Sequence, residues 1–315
     1  MAIVRMIDIC EKIGSGATPR GGKEAYCKEG ISLVRSQNVL DFVFSQDGLA
    51  FINDEQAKKL NNVVVQSSDV LLNITGDSVA RACIMDTSYL PARVNQHVAI
   101  IRGKTDRVLN NYILYFLQWK KENLLQLASA GATRNALTKG MIEQLELDLP
   151  TLTEQKKIVA VLDSLQDKIR INQKINDNLY AQARVIANQW IAENDRDYEL
   201  LPLSEVAVIN PDTYSPKEEW KYVNYLDTSS ITDGCIAEIQ RITPSTEKLP
   251  SRARRKIVSN DVVFSTVRPN QRHFGIISEP LPNMLASTGF AVIRSKNPLV
   301  CNELIYLCLT DNAFI

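Results

Sequence analysis

Apolar residues fall into two patterns along the chain. Val63-Val64-Val65, Val70-Leu71-Leu72 and residues 98–101 are short runs rich in β-branched residues, bounded by Gly, Asn, Asp and Pro. That spacing predicts strands. Across residues 109–127 it becomes helical, with Leu109, Ile113, Phe116 and Leu117 on one side. The same order then returns 192 positions later: Asp69-Val70-Leu71-Leu72 faces Asp261-Val262-Val263-Phe264. At that offset Ala99-Ile100-Ile101-Arg102 faces Ala291-Val292-Ile293-Arg294, and Asn110, Ile113 and Leu117 face Asn302, Ile305 and Leu309. A register held without a gap for about fifty positions predicts a duplicated domain. Upstream the match is looser, with Ile31-Ser32-Leu33-Val34 near Val223-Asn224-Tyr225-Leu226. The predicted fold class is α+β: two tandem β-rich domains with one long helix between them.

Pro150 closes the first copy, and residues 154–190 contain neither Gly nor Pro. Thr153 is the expected N-cap of the helix that follows. Ile158, Leu162, Leu165, Ile169, Asn172, Asn176, Leu179, Ala183, Ile186 and Trp190 recur in steps of four and three, the spacing of a coiled-coil seam. Asn at two seam positions weakens such a pairing but fixes its register. At 1.5 Å per residue the segment makes a rod of about 55 Å. One helix buries only one face, so this one needs a partner helix. Ile158, Leu162, Leu165, Ile169, Asn172, Asn176, Leu179 and Ile186 are therefore candidate interface residues. The predicted boundaries are 1–150, 151–192 and 193–315. At the repeat offset Ile315 matches Asn123, so the pattern predicts a second copy shortened at its C-terminus, whose complete form would run to about 390 residues.

Hydrophobic residues make up 45% of the 315 and charged residues 23%, a core-forming composition rather than a disordered one. No apolar run reaches the roughly 18 residues that span a bilayer. The N-terminal segment has no apolar signal region, so a cytoplasmic location is expected. Lys and Arg together number 36, as do Asp and Glu. Composition alone thus gives no argument for DNA, although a local basic face can coexist with zero net charge. None of the six Cys forms a Cys-x-x-Cys pair and the two His stand apart from them, so reduced thiols are expected and no metal site. Gly14-Ser15-Gly16 lacks the Lys and the strand–loop–helix setting of a phosphate loop. Asn210-Pro211-Asp212-Thr213-Tyr214 lacks the second Pro of the adenine-holding motif of methyltransferases. No catalytic residue is expected.

The motifs resemble those of one family. Gly16-Ala17-Thr18-Pro19 is similar to the start of a target-recognition domain of type I restriction-modification specificity subunits, and Ser68-Asp69-Val70-Leu71 to a recurrent strand of that domain. Ala130-Gly131-Ala132-Thr133-Arg134 is also similar to the family's sequence, ahead of its spacer helix. Leu149-Pro150-Thr151-Leu152-Thr153-Glu154-Gln155-Lys156-Lys157-Ile158 resembles the entry into the family's spacer helix, with Thr151 where a second Pro is common. The second copy departs from the pattern, with Asn210-Pro211 at its start. The resemblance implies a non-catalytic reader of double-stranded DNA with two target-recognition domains, one per half-site, set apart by two antiparallel helices. It implies methyltransferase and restriction-motor subunits as partners. S-adenosylmethionine, ATP and magnesium would then be carried by those subunits and no cofactor by this chain.

Base readout needs polar side chains on ordered loops. In the first copy the candidates are Ser15, Thr18, Arg20 and Lys23; Arg35, Gln37 and Asn38; Asn73, Thr75, Ser78 and Arg81, around Gly76 and Asp77; and Arg93, Asn95 and Gln96, next to His97. In the second they are Arg252, Arg254, Arg255 and Lys256, a run suited to phosphate, and Arg268, Asn270 and Arg272, suited to bases. Two alternatives remain open from the sequence: a coiled-coil module whose β-rich domains bind protein, and a chain that self-associates through the spacer helix to read a palindromic site.

Overall fold

Val70, Leu71 and Leu72 are consecutive and all fully buried. A strand turns successive side chains to opposite faces, so both faces of this strand must be covered. Leu71 and its neighbour Ile100 enter one core with Leu33, Val34 and Ile52. Val70, Leu72 and Ile101 enter another with Met6, Ile9, Ile113 and Leu117. A computed structural model describes residues 2–19, 25–129, 135–193 and 201–311. The chain divides into two units, Met1–Gln173 and Lys174–Ile315.

In the first unit, Cys10–Ser15, Val98–Gly103, Val70–Asn73 and Ala82–Ile84 form, in that spatial order, an antiparallel sheet. A second sheet has the order Ala50–Ile52, Ile31–Val34, Ala92–Val94, Val64–Val65, with its two central strands parallel. The helix Asn110–Trp119 covers the outer face of the first sheet through Ile113 and Leu117. Ala2–Arg5 pairs with Glu146–Leu149, which ties the start of the unit to the end of its β-rich body.

The second unit repeats this plan. Ala207–Ile209, Phe290–Ser295, Asp261–Ser265 and Phe274–Ile277 form one sheet in the same order. Gln240–Ile242, Val223–Leu226, Met284–Ser287 and Ala253–Lys256 form the other, again with parallel central strands. Val262 faces Ile293 as Val70 faces Ile101, and Val263 faces Val292 as Leu71 faces Ile100.

Polar contacts repeat at the same offset. Arg102 donates to the two carboxylate oxygens of fully buried Asp69 at 2.6 Å each, and the Gln66 amide donates to Asp69 at 2.7 Å. Arg294 donates to fully buried Asp261 at 2.7 and 2.9 Å, and the Val258 amide at 2.8 Å. The carboxylate beside each guanidinium raises the Arg102 and Arg294 pKa above the usual value. Asn110 and Asn302 each accept a bond from the strand before their helix, from the Gly103 and Ser295 amides at 2.8 and 2.7 Å.

The long helix runs from Leu152 to Glu193. Its cap is Thr151, two residues before the expected Thr153. Glu154 accepts from the Thr151 amide at 2.9 Å and donates its own amide to the Thr151 hydroxyl at 3.3 Å, so Thr151-x-x-Glu154 closes a reciprocal capping box. Gln155 is fully buried at the first turn. It donates to the Arg107 and Pro150 carbonyls at 3.0 and 2.9 Å and accepts from the Leu109 amide at 2.9 Å. Two turns on, Asp163 accepts from Asn111 and, at 2.7 Å, from the Tyr115 hydroxyl. These bonds seat the start of the helix on Asn110–Trp119. Gln155→Ala would strand one amide and two carbonyls, and an unmet buried polar group costs about 1–3 kcal/mol. A loss of that size in the unfolding free energy of the first unit is the expected outcome in urea titrations.

Within the second unit, Arg184 pairs with Asp311 at 2.8 Å, and the Tyr180 ring meets Tyr306 edge-on at 6.0 Å.

Candidate nucleic-acid interface

The turn between Val70–Asn73 and Ala82–Ile84 carries Thr75, Gly76, Asp77, Ser78 and Arg81. Gly76 has φ +76°, a conformation that favours glycine. Its amide donates to the Asn135 carbonyl at 3.1 Å and its carbonyl accepts from the Val79 amide at 3.1 Å, which holds the turn. The His97 imidazole shares a hydrogen bond with the Thr75 hydroxyl at 2.6 Å and contacts the Gln96 amide at 3.2 Å. The Thr18 hydroxyl donates to Gln96. The backbone at Gly16 makes that approach: its amide bonds the Asn95 carbonyl at 3.0 Å, and a Cβ there would lie 1.7 Å from the Val94 carbonyl oxygen.

Ser36, Gln37, Thr75, Asp77, Ser78, Arg81 and His97, with Gly76, thus line one open cleft of about 430 Å³. Six come from residues 75–81 and 97, two from the turn after Ile31–Val34. Among the described residues, Asp77 and Arg81 make no side-chain hydrogen bond or ion pair, so both charges are available to a ligand. Hydroxyls, an amide, an imidazole, a guanidinium and a carboxylate facing one open groove can read hydrogen-bonding edges. Among the described residues no group of His, Cys, Asp and Glu could hold a metal ion.

Four expected DNA-facing residues lie inside the fold instead, a correction to the sequence reading. Asn73 is fully buried and donates to the Ser36 and Val39 carbonyls at 2.9 and 3.1 Å. Asn38 is fully buried and donates to the Ser45 and Asp47 carbonyls at 3.0 and 3.2 Å. Arg93 is 8% exposed and donates to the Ala57 and Ala92 carbonyls and to Asn61, and burial lowers its pKa. Asn95 is buried and accepts from the His97 amide at 2.9 Å. Polar side chains at strand ends are as well suited to closing turns as to meeting solvent. Arg35 is partly committed too: it bonds the Gly48 carbonyl and lies 5.2 Å over the Tyr26 ring. Ser15 ends the strand Cys10–Ser15 and is half-buried. Arg20 and Lys23 lie outside the described residues, as does the 130–134 motif.

In the second unit the run 252–256 is not a loop. Ala253–Lys256 is a strand, with a register shift between Ala253 and Arg255 that leaves Arg254 out of the regular pairing. Lys256 pairs with Glu218 at 2.7 Å, and Arg254 donates to the Ser251 carbonyl at 3.2 Å. Arg252 precedes the strand and is exposed. Arg268 and Asn270 are exposed in the turn between Asp261–Ser265 and Phe274–Ile277, the counterpart of the Gly76 turn. Arg272, in the same turn, pairs with Asp233.

On the helix Leu152–Glu193 the expected seam splits. Leu162 and the 40% exposed Ile158 line one pocket with Tyr112, Tyr115, Phe116 and Trp119. Leu165, Ile169, Leu179 and Ile186 are 51–67% exposed, and Asn172 and Asn176 are also exposed. No helix among the described residues is long and apolar enough to cross a membrane.

The structure is thus a duplicated α+β domain joined to a long helix, with a polar cleft at one turn of the first unit. The family model for the type I restriction modification DNA specificity domain matches residues 1–181, and the chain belongs to that family. Among its relatives, the MjaX specificity subunit of Methanocaldococcus jannaschii is 28% identical over 127 residues, 40% of this chain and 28% of the relative. The type I restriction enzyme MjaVIII specificity subunit of the same organism is 22% identical over 169 residues, 52% of this chain and 39% of the relative. The matches thus span well under half the length of these relatives. The crystal structure of a type I restriction-modification S subunit from M. genitalium shares the fold, with a TM-score of 0.51 and 13% identity over 98% of this chain and 76% of that one.

Proposed function

We propose that the chain is the DNA-recognition subunit of a type I restriction-modification complex, acting in the cytoplasm. Each unit reads one half of a bipartite site, and the chain directs methyltransferase and restriction-motor subunits to it. It performs no chemistry itself: S-adenosylmethionine, ATP and magnesium act on those partner subunits. The observation that carries this is the cleft of Thr75, Asp77, Ser78, Arg81 and His97, whose counterpart turn in the second unit presents Arg268 and Asn270. Polar groups on turns held by a rigid sheet suit groove edges, where sequence is read. The exposed stripe of Leu165, Ile169, Leu179 and Ile186 supports docking of a partner helix. It equally favours a second reading, in which two copies pair through this helix and read a palindromic site.

Arg81→Ala is expected to weaken binding of the purified chain to a duplex carrying its site about tenfold or more, since loss of one Arg–base contact costs about 1–3 kcal/mol. Fluorescence anisotropy at several salt concentrations measures this, because phosphate contacts make affinity fall with salt. Wild-type affinity in the variant, or salt-insensitive binding in the parent, would reject the cleft as the DNA site.

A further inference from the structure

The cleft holds one group that ordinary DNA binding disfavours. Asp77 is exposed and without a partner among the described residues. A duplex carries a phosphate charge every ~1.7 Å of its axis, and a carboxylate facing it is repelled. No described residue uses this side chain. On DNA its partners are the exocyclic amino groups of bases, cytosine N4 above all, which donate into the major groove where guanine and thymine present carbonyl acceptors.

The turn is built to hold such a group still. Asp77 follows Gly76 inside the turn closed by the Val79 amide on the Gly76 carbonyl. Among the described residues a Cβ placed on Gly76 would meet nothing within 4 Å, so on that side the backbone beside Asp77 is open to an incoming base edge. Arg81 lines the same cleft and supplies the opposite charge. The second unit has no equivalent: Pro269 stands at the Asp77 position, between Arg268 and Asn270, both donors.

Taking the DNA reading of this cleft as given, we infer that Asp77 is a specificity-determining residue of the first unit. It accepts a hydrogen bond from the amino group of one base in that half-site, with cytosine preferred, and rejects keto bases at that position by placing an acceptor against an acceptor. The second unit selects its half-site without a carboxylate.

The test is selection of bound duplexes from a randomised DNA library by the full chain, as wild type and as Asp77→Ala, Asp77→Asn and Arg81→Ala, followed by sequencing. The wild type is expected to restrict one position to an amino-bearing base. Asp77→Ala should reduce that preference about tenfold or more and leave every other position unchanged. Its total affinity should be equal or higher, because a negative charge has left. Asp77→Asn should shift the preference toward adenine, which an amide contacts in bidentate fashion. Should Asp77→Ala keep the selected sequence, or weaken all sequences equally, while Arg81→Ala loses affinity, the inference falls and the cleft remains the DNA site. Unselective binding by the wild type, or an Arg81→Ala variant that binds normally, overturns both.

Discussion

Asp69→Ala is expected to cost the first unit about 3–5 kcal/mol of stability, the usual result of removing one partner from a buried ion pair. Asp69 is fully buried and accepts three bonds, two from Arg102 and one from the Gln66 amide. Its removal leaves Arg102, whose side chain is only 14% exposed, with the more distant Glu11 carboxylate at 3.6 Å. Hydrogen exchange read by mass spectrometry separates the two units. Val70–Asn73 should lose protection while Asp261–Ser265 keeps it, and Asp261→Ala should produce the mirror result. An Asp69→Ala protein that unfolds at the wild-type denaturant concentration would show that the pair contributes nothing.

The pair also illustrates what the sequence could and could not reveal. Asp69 with Asp261 and Arg102 with Arg294 align at the repeat offset, so the duplication is legible from apolar register and these polar markers together. Their bonding is not legible, because each pair joins positions 33 residues apart on neighbouring strands. The sheet order repeats because the alternation of Val70, Leu71 and Leu72 between two cores recurs in Val262 and Val263. The cleft was legible only as a set of loops. Asn73 and Ser78 are equally polar and lie five positions apart, yet one closes a turn from inside and the other lines the groove. Arg93 has the composition of a DNA contact and the surroundings of a structural strut. Gln155 gave no signal of its own: a polar residue in a heptad-spaced helix reads as solvated until the carbonyls of Arg107 and Pro150 are seen beside it. The cap moved to Thr151 because the fixed Thr-x-x-Glu spacing, rather than the nearest Thr, decides which hydroxyl meets an open amide.

The second large effect concerns the exposed helix stripe. Leu165→Asp combined with Ile169→Asp should leave the fold intact, since both side chains are more than half exposed and surface changes of this kind usually move stability by no more than ~0.5 kcal/mol. Assembly should nevertheless be lost. Seam positions 158, 162, 165, 169 and 172 are spaced as the mirror of 176, 179, 183, 186 and 190, so an antiparallel partner of the same periodicity meets apolar residues with apolar residues and Asn with Asn. Carboxylates at 165 and 169 would then be buried against Ala183-like and Leu179-like positions without a counter-charge, and an unpaired buried charge costs several kcal/mol. Light scattering of the chain alone reads self-association, and co-purification with a methyltransferase subunit reads the heteromeric complex. Loss of the first with retention of the second assigns the stripe to a second copy of the chain, and the reverse assigns it to the complex. Survival of both in the double variant would mean that the stripe is not the seat of assembly, and that the spacing along this helix serves only the bonds it makes within each unit.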